Sequence, residues 1–189
     1  MMRLFTALRL YLLFVLIVGL AYPALIAVIG SAFFHGKATG SISTQKGIPV
    51  GSELLAQSFK DERYFWPRPS AADFATVSSG ASQLGPTSEK FRSNVAARIA
   101  FIRKAHPDSA ALPIPADFLT TSASGLDPHL SPESVVFQLG RVAKARNLSL
   151  ERKEKLRVLI DRMTEKPFLG MIGEKRVNVL LLNLKLEGI

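Results

Sequence analysis

From Leu10 to Phe34 the chain runs for 25 residues without one Asp, Glu, Lys, Arg or His. As a helix at about 1.5 Å per residue this run spans roughly 37 Å. The hydrocarbon core of a bilayer needs about 30 Å. A water-soluble helix has no reason to be apolar on every face for so long, and Pro23 inside the run is better tolerated in lipid than in water. Arg3 and Arg9 precede the run with no acidic residue among them, whereas the far flank carries only the more widely spaced His35, Lys37 and Lys46. The positive-inside rule then predicts residues 1–9 in the cytoplasm, 10–34 as the span, 35–47 as a linker and 48–189 as a domain outside. Gly30-Ser31-Ala32 offers small residues for signal cleavage. The apolar core of a signal peptide is only about 7–15 residues, so length favours a retained, single-pass anchor.

That expectation narrows the chemistry. The chain of 189 residues has no cysteine, which excludes disulfide scaffolds, Cys-ligated metals and Cys nucleophiles. Its three histidines are scattered. The formal charge is +9, and 22 of the 24 basic residues, with all 15 acidic ones, lie after the span. With the domain outside, nucleic acid is out of reach. Anionic lipid or an acidic protein face suits the surplus.

The 155 residues beyond Phe34 read as a mixed α/β (α+β) domain. Ile48 to Phe59 suits a strand or short helix. Residues 61–87, broken by Pro67, Pro69, Gly80, Gly85 and Pro86, read as loop. Thr87 or Ser88 caps a helix to about Ala105, with Phe91, Val95, Ile99 and Ile102 on one face. Residues 107–131 are again irregular. Ser131-Pro132-Glu133 starts a helix that should end near Asn147, and Ser149 caps another that stops before Pro167. For 176–186 (RVNVLLLNLKL), Asn178 as a cap favours helix, while period-two polarity keeps strand open.

Four groups of residues are candidates for function. Tyr64, Phe65, Trp66 and Arg68 form an aromatic and cationic cluster suited to a partner contact or to plugging a core. The loop from Ser78 to Gly85, including Ser79, Gly80 and Ser82, offers backbone N–H groups to an anion. It lacks the Gly-Lys-Ser/Thr of a Walker loop. The stretch from Thr120 to Ser131 holds Ser122, Ser124, Asp127 and His129. These are the residue types of a membrane-anchored external serine hydrolase, without its Gly-x-Ser-x-Gly elbow. Arg141 to Arg157 carries seven basic residues against two acidic ones, a stretch suited to lipid headgroups or to an acidic partner, and Gln138 shares the helix of Arg141.

The segments Gly51-Ser52-Glu53-Leu54-Leu55-Ala56-Gln57-Ser58-Phe59, Tyr64-Phe65, Arg68-Pro69-Ser70-Ala71, Ser124-Gly125-Leu126-Asp127-Pro128-His129, Arg141-Val142-Ala143, Gly173-Glu174 and Val177-Asn178-Val179-Leu180 stand in a characteristic order. Together they make the chain similar to the C subunit of the Kdp-type potassium-transporting P-type ATPase, from the anchor to nearly the last residue. The resemblance implies an accessory, non-catalytic subunit in the bacterial cytoplasmic (inner) membrane. It implies two partners, a channel-like potassium-translocating subunit and a P-type ATPase subunit. It further implies a catalytic chaperone that raises the ATPase subunit's affinity for ATP. Nucleotide contact carries over to Ser79, Gly80, Ser82 and Gln138. Tyr64, Phe65, Trp66, Arg68, Asp127, His129 and Arg141 are the expected partner contacts.

Overall fold

The computed structural model describes residues 2–188 and divides into two compact units, Met1–Val50 and Gly51–Ile189. The first unit opens on one continuous helix, Met2–Phe33, long and apolar enough to cross a membrane. It consists of α1 (Met2–Phe14), a π-helical stretch (Val15–Ala21) and α2 (Tyr22–Phe33). None of its side chains is buried. The helix begins eight residues before the uncharged run, so Arg3 and Arg9 ride on α1 itself, where their long stems let the charged ends reach water. The π stretch has a local cause. Pro23 has no N–H to give and its ring crowds the carbonyl four residues back, and the widened turn just before it, with Tyr22 N–H bonded to the Ile17 carbonyl, relieves that conflict.

Residues 35–47, polar enough to read as a linker, hold more structure than that. A short helix α3 (His35–Ala38) is followed by strand β1 (Ile42–Gln45), which pairs across a turn at Lys46 and Gly47 with β2 (Ile48–Ser52). Ile42 and Thr44 supply the β-branched side chains that favour an extended backbone.

The second unit is helical with one small sheet. Its helices are α4 (Glu89–Ala105), α5 (Ala116–Leu119), α6 (Pro132–Ala145), α7 (Leu150–Met163) and α8 (Val179–Leu186). Ser88, Ser131 and Ser149 each accept a hydrogen bond from the backbone N–H three residues on, the N-cap geometry. α6 stops at Ala145 because Asn147 turns left-handed, at φ 52°. The Leu148 N–H then reaches the Ala143 carbonyl at 2.9 Å and the Asn147 N–H reaches Lys144 at 3.0 Å, a Schellman closure.

The sheet is antiparallel in the order β3-β5-β4, from β3 (His129–Leu130), β5 (Arg176–Asn178) and β4 (Thr164–Glu165). Leu130 and Thr164 both pair with Val177. The 176–186 segment is therefore strand and then helix. Asn178 is the junction, closing β5 and capping α8 through Leu181 N–H. The core gathers Phe65, Val135, Val142, Leu156, Val177, Leu182 and Leu186, all without exposed surface. Each such side chain contributes about 1.5–3 kcal/mol relative to exposure. α4 meets this core mainly through Ile102. Ile99, on the same expected stripe, remains 38% exposed.

Candidate functional site

Between β2 and α4 lie more than thirty residues with neither helix nor strand, yet Phe65 in their midst is fully buried. Buried backbone groups need partners, and here side chains supply them. Asn183 on α8 accepts the Phe65 N–H at 2.8 Å through Oδ1 and donates Nδ2–H to the Phe65 carbonyl at 2.9 Å. Gln138 on α6 does the same for the next residue, accepting the Trp66 N–H at 2.8 Å and donating to the Trp66 carbonyl at 3.1 Å. Two amide side chains thus imitate the edge of a neighbouring strand.

Two arginines complete the hold. Arg141 donates to the carbonyls of Glu62 and Tyr64, to Gln138 Oε1 at 2.8 Å and to His106 Nε2 at 2.9 Å. Its guanidinium lies 3.9 Å from the centroid of the Trp66 ring. Burial pushes its pKa down to about 10, although the charges of Glu62 and Asp61 pull the other way. Arg146 donates to the Arg63 carbonyl at 2.8 Å and to Glu187 at 2.7 Å. The expected contact residues Phe65 and Arg141 are therefore interior groups, at 0% and 5% exposure. Tyr64 and Trp66 are half-buried beside them.

His106 is set by the same cluster. Its Nδ1 faces the Ile102 carbonyl at 2.9 Å, so Nδ1 carries the proton and Nε2 accepts from Arg141. Burial above all, and then the charge of Arg141, push its pKa down to about 4 against the opposing pull of the Ile102 carbonyl. Between the model-peptide value of 6.5 and about 4 the unfolded chain binds the proton and the folded chain does not. Stability is thus whole above about pH 6.5, falls with acid and is lost towards pH 4, by on the order of 2 kcal/mol after allowance for solvent screening. Urea unfolding of the full chain at pH 7.5, 5.5 and 4.5, read by the fluorescence of Trp66, is expected to show this decline. His106→Gln should flatten it.

A second cluster holds Arg68, Asp127 and His129. Arg68 meets Asp127 at 2.9 Å, and the other carboxylate oxygen accepts from the His129 backbone N–H at 3.0 Å and its Nδ1 at 3.2 Å. Burial pushes the Asp127 carboxyl up, but the His129 and Arg68 hydrogen bonds outweigh it and hold the pKa at about 2. The hydrolase arrangement is not assembled around this pair. Ser124 Oγ accepts the Leu126 N–H. Ser122 Oγ is buried without a hydrogen-bond partner. Ser122 and Ser124 line an open groove that His129 does not reach, while His129 lines another beside Asp117 and Arg176.

The serine–glycine loop meets the 120–131 segment at Gly125. Gly125 has φ +69°, and a Cβ there would sit 2.9 Å from the Gly80 carbonyl and 3.2 Å from Ser70 Oγ, so only glycine lets the two loops touch. Ser82 lines a cleft of about 630 Å³ with Lys90, Asn94 and Arg98. Arg98 has no hydrogen-bond or ion-pair partner among the described residues, and desolvation lowers its pKa. Ser79 is exposed. Gln138 does not line the cleft, because it faces Trp66 with both lone pairs of Oε1 engaged. The structure thus brings Ser82 to a basic cleft but does not bring Gln138 to join it.

The basic stretch from Arg141 to Arg157 separates likewise. Arg141 and Arg146 hold the loop, and Lys155 pairs with Glu151 at 2.6 Å along α7. Asn183 and Arg146 stand outside the expected site residues: the first counts in the sequence only as period-two polarity of 176–186, the second as one of seven cations from Arg141 to Arg157. A lone amide within the apolar run of α8 is the signal for the first, since an amide in a core exists to satisfy something. Nothing local marks the second.

An apolar helix of spanning length ahead of a mixed α and β unit fits a membrane-associated subunit. The family model described as "K+-transporting ATPase, c chain" matches residues 4–188, and the chain belongs to this KdpC family. Among proteins named potassium-transporting ATPase KdpC subunit, that of Sorangium cellulosum is 46% identical over 185 residues, covering 96% of this chain and 95% of its own. That of Myxococcus xanthus is 45% identical over 185 residues, with 96% and 86% covered. That of Polaromonas naphthalenivorans is 43% identical over 186 residues, with 97% and 93% covered.

Proposed function

We propose that this chain is an accessory, non-catalytic subunit of an ATP-driven potassium pump. Its helix Met2–Phe33 holds it in the bacterial cytoplasmic membrane and its Gly51–Ile189 unit lies outside. The family match across residues 4–188 carries this reading. The arginines on the first turns of α1 support the orientation.

The partners are the channel-like and P-type subunits of the same pump. The external unit binds one pump conformation better than another, and that difference raises the apparent ATP affinity of a site across the membrane. The occupied amide of Gln138 favours such action at a distance over direct contact with nucleotide.

The test is removal. Membranes expressing the other pump subunits without this chain are expected to lose potassium-stimulated ATP hydrolysis, and its normal retention would sink the proposal. A single cysteine at the exposed Ser79 of this cysteine-free chain reads the orientation. It should react with a membrane-impermeant maleimide while the cytoplasmic membrane is intact. Reaction only after lysis would put the domain inside and return direct nucleotide contact to favour.

A further inference from the structure

The Met1–Val50 unit contains no Asp or Glu, although the chain has 15 of them. All 15 fall in the Gly51–Ile189 unit, the first at Glu53. The ionisable groups left beside the apolar run are Arg3 and Arg9 on one flank and His35, Lys37 and Lys46 on the other. Lys37 and Lys46 are exposed and make no ion pair among the described residues.

The length of the helix sets where the second flank stands. From Arg9 to Phe33 it rises roughly 36 Å at about 1.5 Å per residue. The hydrocarbon is about 30 Å thick, and each headgroup layer adds about 5–7 Å. With Arg9 at one face of the hydrocarbon, Phe33 ends within the opposite headgroup layer. α3 is tied to that end. The Phe34 N–H reaches the Gly30 carbonyl at 2.9 Å, and the Ala38 N–H reaches the Phe34 carbonyl at 2.8 Å. Gly40 and Ser41, at φ 91° and 47°, close α3, with the Ser41 N–H on the Gly36 carbonyl at 2.8 Å. The β1–β2 hairpin follows at once from Ile42.

The hairpin is made of what a headgroup layer takes up. Ile42 and Ile48 are 51% and 66% exposed. The turn between the strands sets Lys46 and Gly47 at φ 51° and 79°. Asn or Asp before Gly is the relaxed choice in such a turn, so Lys46 holds a cation at the apex despite backbone strain. Exposed apolar side chains beside lysines suit the boundary where acyl chains meet phosphate. The lack of any carboxylate up to Ser52 removes the repulsion that an anionic surface would exert. A bilayer is also the one surface that the spanning helix brings to this segment by covalent connection.

We propose that residues 35–50, α3 and the β1–β2 hairpin, rest on the bilayer surface and bind anionic phospholipid headgroups through Lys37 and Lys46. The inference rests on the reading of Met2–Phe33 as a membrane span and holds for either orientation of the chain.

The full chain has no cysteine of its own, so a nitrobenzoxadiazole fluorophore on Ile48→Cys tests the contact in reconstituted vesicles. Emission should be blue-shifted in phosphatidylglycerol–phosphatidylcholine vesicles and water-like in phosphatidylcholine alone. The shift should be lost on Lys37→Gln with Lys46→Gln, and it should shrink at high salt, which screens a charged surface. Water-like emission in the anionic vesicles overturns the proposal. A blue shift that is equal in the two lipids, or unmoved by the double substitution, overturns it as well. The same fluorophore on Leu20→Cys reads the span and should be blue-shifted in both lipids. Water-like emission from Leu20→Cys would sink the span reading and this proposal with it. A blue-shifted Leu20→Cys beside a water-like Ile48→Cys in anionic vesicles would sink the surface contact alone.

Discussion

Arg141→Ala is expected to destabilise the Gly51–Ile189 unit by about 3–5 kcal/mol, the range for a buried polar network left without its central member. The native guanidinium serves four acceptors at once, the carbonyls of Glu62 and Tyr64, Gln138 Oε1 and His106 Nε2. Each acceptor left dry costs about 1–3 kcal/mol. Water entering the vacated space recovers part of that, so the four do not add in full. Desolvation of Arg141 itself, visible in its pKa of about 10, offsets more. Arg141→Met keeps the bulk and loses every hydrogen bond, so it should fall with the alanine variant. Arg141→Lys should recover less than half, because one ammonium cannot copy the planar fork that reaches four acceptors. Urea unfolding followed by Trp66 measures all three. Trp66 should also emit further to the red in the native baseline of the alanine variant, since its ring loses the guanidinium cover at 3.9 Å. A loss below about 1 kcal/mol for Arg141→Ala would show that Phe65 and the amides of Asn183 and Gln138 hold the 61–67 loop without Arg141.

How much of this was legible follows from where each signal sits. The spanning helix and the three serine caps are written in adjacent residues, so periodicity and cap chemistry reach them. The strand-then-helix character of 176–186 was half visible, since Asn178 announces a cap but β5 exists only because β3 and β4 lie to either side. The hold on the loop was not visible. Gln138 and Arg141 act on the backbone of residues 72 to 79 positions earlier, and a carbonyl has no sequence signature. The aromatics at Phe65 and Trp66 therefore left an outward contact patch and a core plug both open and the cation at Arg141 pointed to a partner, and in the fold the guanidinium, the amide and the rings satisfy one another inside. The Phe168–Ile172 turn has no cap or periodicity to mark it, and only the fold shows its apolar side chains exposed. The basic balance was legible as a number and not as a place, because several of the cations that produce it are already engaged.

Asn183→Asp changes one donor into one acceptor and should have a large effect that depends on pH. At neutral pH an ionised carboxylate would lie 2% exposed, with one oxygen where Nδ2 now stands, 2.9 Å from the Phe65 carbonyl oxygen. A buried charge facing a carbonyl dipole is expected to cost about 3 kcal/mol or more. Protonation removes the penalty, because the acid O–H can donate to Phe65 as the amide does. Burial thus raises the folded-state pKa of the new carboxyl above its unfolded value of about 3.9. The sign follows from linkage. Above pH 3.9 the folded variant holds more protons than the unfolded one, so its deficit relative to the native chain is small near pH 4, grows as pH rises and levels off above the raised pKa. The native decline through His106 runs the other way and cancels in the difference. Asn183→Leu should lose about 2–4 kcal/mol at every pH, since both Phe65 backbone groups are orphaned irrespective of protonation. Gln138→Glu should be milder than Asn183→Asp, because Arg141 lies 2.8 Å from Gln138 Oε1 and would steady a carboxylate there. Urea midpoints of the four chains between pH 4.5 and 7.5 separate these outcomes. A difference for Asn183→Asp that stays flat with pH would mean that water reaches this amide, and that the loop is not pinned through Asn183.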